Sequence, residues 1–156
     1  MVRIPRENSQ VYTCGTEADV SIDTQPCACS LPSPRDRPTM SLQPIPECWR
    51  KTVAQILRRG ERRSIRKTKD FWDRFSADFP DAFSNEITEA IAAGLTRDIH
   101  EGCPVTMDPP PDGTTWEFYC SFRHTKLYAK VLLTNDQRTV WLFSAHRPRK
   151  RRLRCE

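Results

Sequence analysis

Three short segments in the last third of the sequence carry an acid, hydroxyls, cations and a histidine at alternate positions. Alternate residues of an extended strand point to the same face of a sheet, so we expect these side chains to share one face. They are Glu117, Tyr119, Lys126, Tyr128, Lys130, Ser144 and His146. Cleavage of RNA without a metal needs such groups: a base for the 2′-hydroxyl, positive charge for the phosphorane and an acid for the leaving 5′-oxygen. The alternative is an ordinary outward-facing polar surface.

Histidine is the natural proton exchanger in this set, because its side chain titrates near neutral pH. His146 ends its segment beside a run of cations, whereas His124 falls between two segments and His100 lies in a stretch rich in proline and glycine. We therefore expect His146, rather than His124 or His100, to transfer protons.

The basic residues are clustered. Residues 40–75 carry a net charge of +6, residues 76–115 carry −7 and residues 116–156 carry +7, within a total of +5. Clustered cations gain affinity for a polyanion by displacing its counterions. We predict RNA contacts at Lys126, Arg62, Arg63, Arg147, Arg149, Lys150, Arg151 and Arg152. A solvated charged surface, or a nuclear localisation signal in the tail, is the alternative interpretation.

The elements that must position these residues begin with three helices. Apolar residues recur every three or four positions between Pro46 and Gly60, between Phe71 and Pro80, and between Ser84 and Gly94. Ser84 is the expected N-cap of the third helix, and Gly60 and Gly94 are the expected stops. Trp49, Trp72 and Trp141 are expected in the core.

The period changes from 3.6 to 2 after a predicted loop over residues 96–114. Residues 116–122, 126–133 and 139–146 alternate as strands, and the third is expected to turn Trp141, Phe143 and Ala145 towards the core and Val140, Leu142, Ser144 and His146 away from it. Helices followed by a meander of strands predict an α+β domain. Its N-terminal helices would pack on one face of a small antiparallel sheet.

Composition divides the chain into three parts. Residues 1–39 are rich in proline and lack periodicity, which predicts disorder, and Met40 is a candidate translation start. Residues 40–148 form the predicted domain, and residues 149–156 form a flexible basic tail.

The cysteines and the apolar segments indicate where the chain works. Seven cysteines at irregular spacing, without a secretion signal, argue against a disulfide framework and favour a reducing cytoplasm. No apolar stretch approaches the length of a membrane helix. The Cys27-Ala28-Cys29 pair lacks the usual spacing of a zinc site, so neither a metal nor another cofactor is expected.

The order of several short strings resembles the MqsR-type toxins, the messenger-RNA interferases of bacterial toxin–antitoxin pairs, which share the RelE-like fold. The resemblance covers about residues 49–148. It runs through Val53-x-x-Ile56-Leu57-x-x-Gly60, Ala92-Ala93-Gly94-Leu95, Trp116-Glu117, Leu127-Tyr128-Ala129-Lys130 and Phe143-Ser144-Ala145-His146.

This resemblance implies an endoribonuclease that cleaves mRNA, acts at the ribosome or on free message, and is held inactive by a cognate antitoxin. It implies that the active-site tyrosine is Tyr128, with Lys130 two places on. Glu117 stands where the family has a glutamine, and His146 where it has a lysine; a lysine that the family uses after Gly-Leu has no clear counterpart. A non-catalytic nucleic-acid-binding protein and a degenerate, silent gene product remain the alternatives.

Overall fold

The computed structural model describes residues 41–106 and 112–155, so the predicted disordered extension and Met40 lie outside the described residues. Three helices and six strands occur within the described ranges. In chain order they are β1 (Gln43–Pro44), α1 (Glu47–Arg59), β2 (Ile65–Lys67), α2 (Lys69–Asp78), α3 (Ser84–Arg97), β3 (Glu101–Val105), β4 (Gly113–Phe122), β5 (Thr125–Thr134) and β6 (Val140–His146). The predicted α+β class is confirmed.

The sheet has the strand order β1-β3-β4-β5-β6-β2 and is mixed. Its first five strands pair antiparallel, as expected, but β2 pairs parallel with β6, so the prediction of a purely antiparallel sheet is wrong. β2 has only three residues and lies in the basic connection between two helices, where no alternation of apolar residues reveals it. The predicted loop over residues 96–114 likewise contains β3 and the start of β4.

The helices cover one face of the sheet and form the core with it. The apolar stripe of α1 is buried, and the helix ends at Gly60 with φ of 67°, as its sequence predicts. Gly94 does not end α3, which runs on to Arg97; a Cβ at Gly94 would lie 2.6 Å from Ile99 Cδ1, so this glycine allows close packing instead. Ser84 is the first helical residue rather than the N-cap, which is Phe83.

A β-bulge in β6 decides which of its residues face the core. Lys130 pairs with Ser144 but Val131 pairs with Leu142, so Phe143 is the extra residue. A shift of one residue reverses the faces of a strand. The residues on the two faces of β6 therefore differ from those expected. Val140, Leu142 and Ala145 enter the core. Trp141 and Phe143 stack on each other outside the core, and Ser144 and His146 point away from it.

The prediction of a core position for Trp72 is also wrong. Its side chain is 42% exposed on α2, next to the fully buried Phe71. Phe71 and Phe75 take the inward face of the helix, and Trp72 lies one position off that stripe, edge-on to both rings.

Truncating a core aromatic tests this packing. We expect Phe71→Ala to lower the free energy of unfolding by about 3–5 kcal/mol, because it leaves a cavity in a close-packed core. The matched control is Phe83→Ala, since Phe83 is 74% exposed and should change stability by about 0.5 kcal/mol or less. Denaturant unfolding followed by circular dichroism measures both, and equal losses would contradict the assigned core.

Candidate active site

Glu117, at the centre of β4, is a fully buried carboxylate on the face of the sheet opposite the helices. One oxygen accepts a hydrogen bond from the Tyr128 hydroxyl at 2.7 Å, and the other accepts from the Arg154 N–H at 2.9 Å. Lys130 is its direct cross-strand neighbour, yet within the described residues no Lys or Arg nitrogen lies within 4.0 Å of the carboxylate. A buried carboxylate without an ion pair depends on its hydrogen bonds.

Tyr128 lies on β5 between the acid and the histidine. Burial, followed by the hydrogen bond to Glu117, raises the pKa of the Tyr128 hydroxyl well above its usual range, so the group stays protonated and acts as a donor. Its ring centroid lies 5.0 Å from that of His146 and 6.3 Å from that of Tyr119. The three rings form a row across β4, β5 and β6.

His146, the last residue of β6, has both ring nitrogens engaged. Nδ1 lies 2.7 Å from the Arg147 carbonyl oxygen, to which it donates a hydrogen bond, and Nε2 lies 3.4 Å from Nη1 of Arg74. A guanidinium only donates, so the Arg74 contact is a hydrogen bond when His146 is the Nδ1–H tautomer with Nε2 as the acceptor. The side chain is 4% exposed.

Helix α2 brings Arg74 to the histidine because it begins at the bulge. Thr68, its N-cap, donates from its N–H to the Leu142 carbonyl at 3.2 Å and from its hydroxyl to the Phe143 carbonyl at 3.3 Å. Two turns later Arg74 reaches the end of β6. Its Nη2 atom forms an ion pair with Asp70 at 3.0 Å, and this pair holds the guanidinium in place.

Lys130 supplies a partly buried cation on the same face. Burial, followed by the positive charge of Arg154, lowers the pKa of the Lys130 ammonium. Its Nζ lies 5.8 Å from the centroid of the Phe143 ring, the residue that the bulge turns out of the core. Lys130 therefore gives up a proton more readily than an exposed lysine.

The predicted open face is covered by the C-terminal segment, residues 147–155. Leu153 is 7% exposed on this face, and a disulfide joins Cys155 to Cys103 of β3. The expectation of a chain without disulfides is therefore wrong for this pair, whose Cα atoms are 5.7 Å apart across 52 residues of sequence. The segment is fastened to the sheet instead of extending from it, and this burial of Glu117 and His146 differs from the predicted exposed surface.

Together these groups line a pocket of about 250 Å³, called the site pocket below. Its charged lining is mainly basic, with six cations against two carboxylates. The cations are Arg74, Lys130, Arg149, Lys150, Arg152 and Arg154, and the carboxylates are Asp70 and Glu117. All four predicted catalytic residues, Glu117, Tyr128, Lys130 and His146, meet in this pocket.

The predicted RNA-binding residues are divided between two ends of the sheet. Arg149, Lys150 and Arg152 line the site pocket. Lys126 is exposed on β5, and Arg147 and Arg151 are exposed on the C-terminal segment. Arg62 and Arg63 precede β2, whose first residue pairs with Val140 at the opposite end of β6 from His146. Those two ends are six residue steps, or about 20 Å, apart along β6, so Arg62 and Arg63 are not part of this site.

Sequence reasoning missed the contributions of Arg74, Asp70, Leu153 and Arg154. The four-residue spacing of Asp70, Arg74 and Asp78 marks a polar stripe on α2 that could have suggested a functional helix face. No local pattern signals that Leu153 and the Arg154 N–H return to the sheet, because those contacts join residues distant in sequence.

Comparison with protein-family models, with curated proteins and with solved structures finds no match to this chain. Within the described ranges, no helix has the length and apolar character needed to span a membrane, and no group of three or more His, Cys, Asp or Glu side chains is placed to hold a metal ion. The Cys27-Ala28-Cys29 pair lies outside those ranges.

Removing one hydroxyl tests the dependence of Glu117 on its donors. We expect Tyr128→Phe to lower the free energy of unfolding by about 1–3 kcal/mol at neutral pH, because a buried carboxylate loses one of two partners. The control, Tyr119→Phe, removes a hydroxyl that donates to the Lys150 carbonyl at 3.3 Å, near the surface, and should cost about 0.5 kcal/mol or less. Similar losses in urea unfolding would contradict the assigned role.

The raised pKa of Tyr128 adds a pH dependence to this comparison. An unfolded tyrosine ionises at about pH 10, below the pKa of Tyr128 in the fold, so the stabilising contribution of Tyr128 is complete below about pH 10 and is lost as the pH rises above that value. We expect the stability difference between the native chain and Tyr128→Phe to shrink above about pH 10. A difference that grows with pH would contradict the direction of the shift.

Proposed function

We propose that this chain is a metal-independent endoribonuclease that cleaves mRNA by attack of the 2′-hydroxyl on the adjacent phosphodiester. One observation carries the proposal: the His146 imidazole, with Nε2 as an acceptor, lies 5.0 Å from the Tyr128 ring in a pocket lined by six cations. A histidine ring nitrogen beside hydroxyl and ammonium donors and fixed positive charge suits proton transfer at a phosphodiester.

In the proposed reaction, His146 Nε2 takes the proton of the 2′-hydroxyl as the oxygen bonds to phosphorus. The bond from phosphorus to the 5′-oxygen then breaks, leaving a 2′,3′-cyclic phosphate and a 5′-hydroxyl. Lys130, whose pKa is lowered by burial, is suited to donate a proton to the leaving oxygen. Arg74 would stabilise the phosphorane oxygens, and Tyr128, whose hydroxyl proton is donated to Glu117, would position the scissile phosphate.

Glu117 has a positioning role in this scheme. Its hydrogen bond from Tyr128 fixes the hydroxyl, and its bond from the Arg154 N–H fixes the C-terminal segment. A glutamine at this position would keep one oxygen to accept from Tyr128. Its amide nitrogen would be a donor in place of the oxygen that accepts from the Arg154 N–H.

Exposed cations on the C-terminal segment supply the path for RNA. Arg149, Lys150 and Arg152 line the site pocket and remain exposed, and Lys126 lies on the same face with Nζ 3.7 Å from the centroid of the Tyr119 ring. Cations interleaved with aromatic rings bind both the phosphates and the bases of a single strand. These residues would hold mRNA across the row of rings.

The resemblance to MqsR-type toxins supports the biological part of the proposal. Such an enzyme would act in the cytoplasm on mRNA, either free or at the ribosome, and a cognate antitoxin would hold it inactive. Co-expression with a neighbouring open reading frame that relieves growth arrest would identify that antitoxin.

Cleavage of RNA in the presence of EDTA tests the activity. We expect the purified full chain, reduced with dithiothreitol, to cut a defined mRNA, and His146→Ala to lower the rate by about 10²- to 10⁴-fold, since a proton-transfer group is lost. His100→Ala is the matched control, because His100 is exposed, bonds only the Arg97 carbonyl and lies outside the site pocket.

The same cleavage assay can contradict the proposal. If the reduced native chain leaves RNA intact, or if His146→Ala reduced in parallel cuts at the native rate, the endoribonuclease proposal is wrong. Loss of activity in His100→Ala alone would also contradict the placement of the site.

A non-catalytic nucleic-acid-binding protein is the second candidate, and one observation favours it. Glu117 is fully buried and His146 is 4% exposed, whereas Lys150, Arg151 and Arg152 are freely exposed. This function needs only the exposed cations. It predicts salt-sensitive RNA binding that survives His146→Ala and that weakens when Arg151 and Arg152 are replaced together by glutamine.

A further inference from the structure

The C-terminal segment is attached to the sheet at three places along its length. At its start, Asp78 of α2 accepts hydrogen bonds from the Arg147 N–H and from the Arg149 guanidinium, both at 2.8 Å. In the middle, the Lys150 carbonyl accepts from the Tyr119 hydroxyl at 3.3 Å. At its end, residues 153–155 carry the remaining contacts, including the disulfide.

The last attachment lies directly over the buried acid. Leu153 is buried against this face, the Arg154 N–H donates to Glu117, and Cys155 is bonded to Cys103, which pairs with Glu117 across the sheet. The disulfide thus closes a chain separation of 52 residues immediately beside the carboxylate. Without it, noncovalent contacts such as the burial of Leu153 and the Arg154 N–H bond would have to hold residues 153–155 against the sheet.

We propose that Cys103–Cys155 is a thiol–disulfide exchange site through which a dithiol reductant opens the site pocket. In the oxidised chain Leu153 and Arg154 lie against Glu117 and line the same pocket as His146, so a polymer substrate cannot pass over the carboxylate into that pocket. Reduction releases the end of the segment while Asp78 still holds its start, so the site pocket opens as a flap. The inference rests on the proposed function only for the identity of the substrate.

The two sulfurs differ in a way that sets the direction of attack. Cys103 is 1% exposed, whereas Cys155 is partly exposed near the chain end, so a reductant thiolate meets the Cys155 sulfur first. The Cys155 N–H lies 3.3 Å from the Cys103 sulfur and donates to it. That hydrogen bond stabilises negative charge on Cys103 as it leaves.

The exchange balances in two steps. A thiolate of the dithiol attacks the Cys155 sulfur, forming a mixed disulfide while the bond to Cys103 breaks and the Cys103 thiolate takes up a proton. The second thiol of the reductant then attacks the reductant sulfur that is bonded to Cys155, which releases Cys155 as a thiol. The dithiol is oxidised to a disulfide, and the two cysteines gain two electrons and two protons.

The experiment compares the oxidised full chain with the same chain reduced by dithiothreitol and with Cys155→Ser. Hydrogen–deuterium exchange of the peptide that contains residues 150–155 reports on the segment, and cleavage of RNA in EDTA reports on the pocket. We expect amide exchange in this peptide to rise at least tenfold in both the reduced chain and Cys155→Ser, with cleavage rising by a similar factor. Cys48→Ser, which alters a cysteine of α1 that is not part of the disulfide, should behave as the oxidised native chain.

The outcomes separate this inference from the proposed function. Amide hydrogen exchange that is unchanged by reduction and by Cys155→Ser would overturn the proposed thiol–disulfide exchange site. Cleavage that proceeds equally in the oxidised and reduced chains would also overturn it. Amide hydrogen exchange that rises on reduction, while neither form cuts RNA, supports the thiol–disulfide exchange site and contradicts the endoribonuclease.

Discussion

The buried carboxylate of Glu117 is the constraint on which the site depends. A carboxyl group taken from water must be compensated by hydrogen bonds, and among the described strands Tyr128 of β5 supplies one. The second comes from Arg154, so the chain beyond β6 has to return across the sheet to supply it. That return brings Arg149, Lys150 and Arg152 to the site pocket and seats Leu153 over the acid. Burial of one acid therefore determines where the basic residues lie.

The second requirement is the β-bulge at Phe143. Without the extra residue, His146 would lie on the same face as Val140 and Leu142, inside the core and away from Tyr128. The bulge also leaves the Leu142 and Phe143 carbonyls to accept from Thr68, which starts α2 at the point from which Arg74 reaches His146. A local irregularity in one strand thus brings residues from α2, β4, β5 and β6 to one pocket.

The α+β class, the three helices and the shared face of Glu117, Tyr128 and Lys130 follow from periodicity, because strong alternation and helical spacing are local properties of the chain. The face of β6 could not be predicted, since alternation carries no mark of a bulge and both sides of that strand are apolar at Val140 to Phe143. β2 and β3 were missed because short strands rich in charge, proline or glycine gain their identity from their partners. The Cys103–Cys155 bond and the return of Leu153 are long-range contacts that residue counting does not reveal.

The chemistry assigned to this pocket makes the 2′-hydroxyl of the substrate the nucleophile, and that is its most direct test. The measurement is mass spectrometry of the products from an RNA cut by the reduced chain in EDTA, beside the same RNA with a single 2′-deoxynucleotide on the 5′ side of the cleaved bond. The account predicts a 2′,3′-cyclic phosphate and a 5′-hydroxyl from the first RNA, and no cleavage at that bond in the second. Cleavage of the 2′-deoxy bond, or products with a 3′-hydroxyl and a 5′-phosphate, would contradict it.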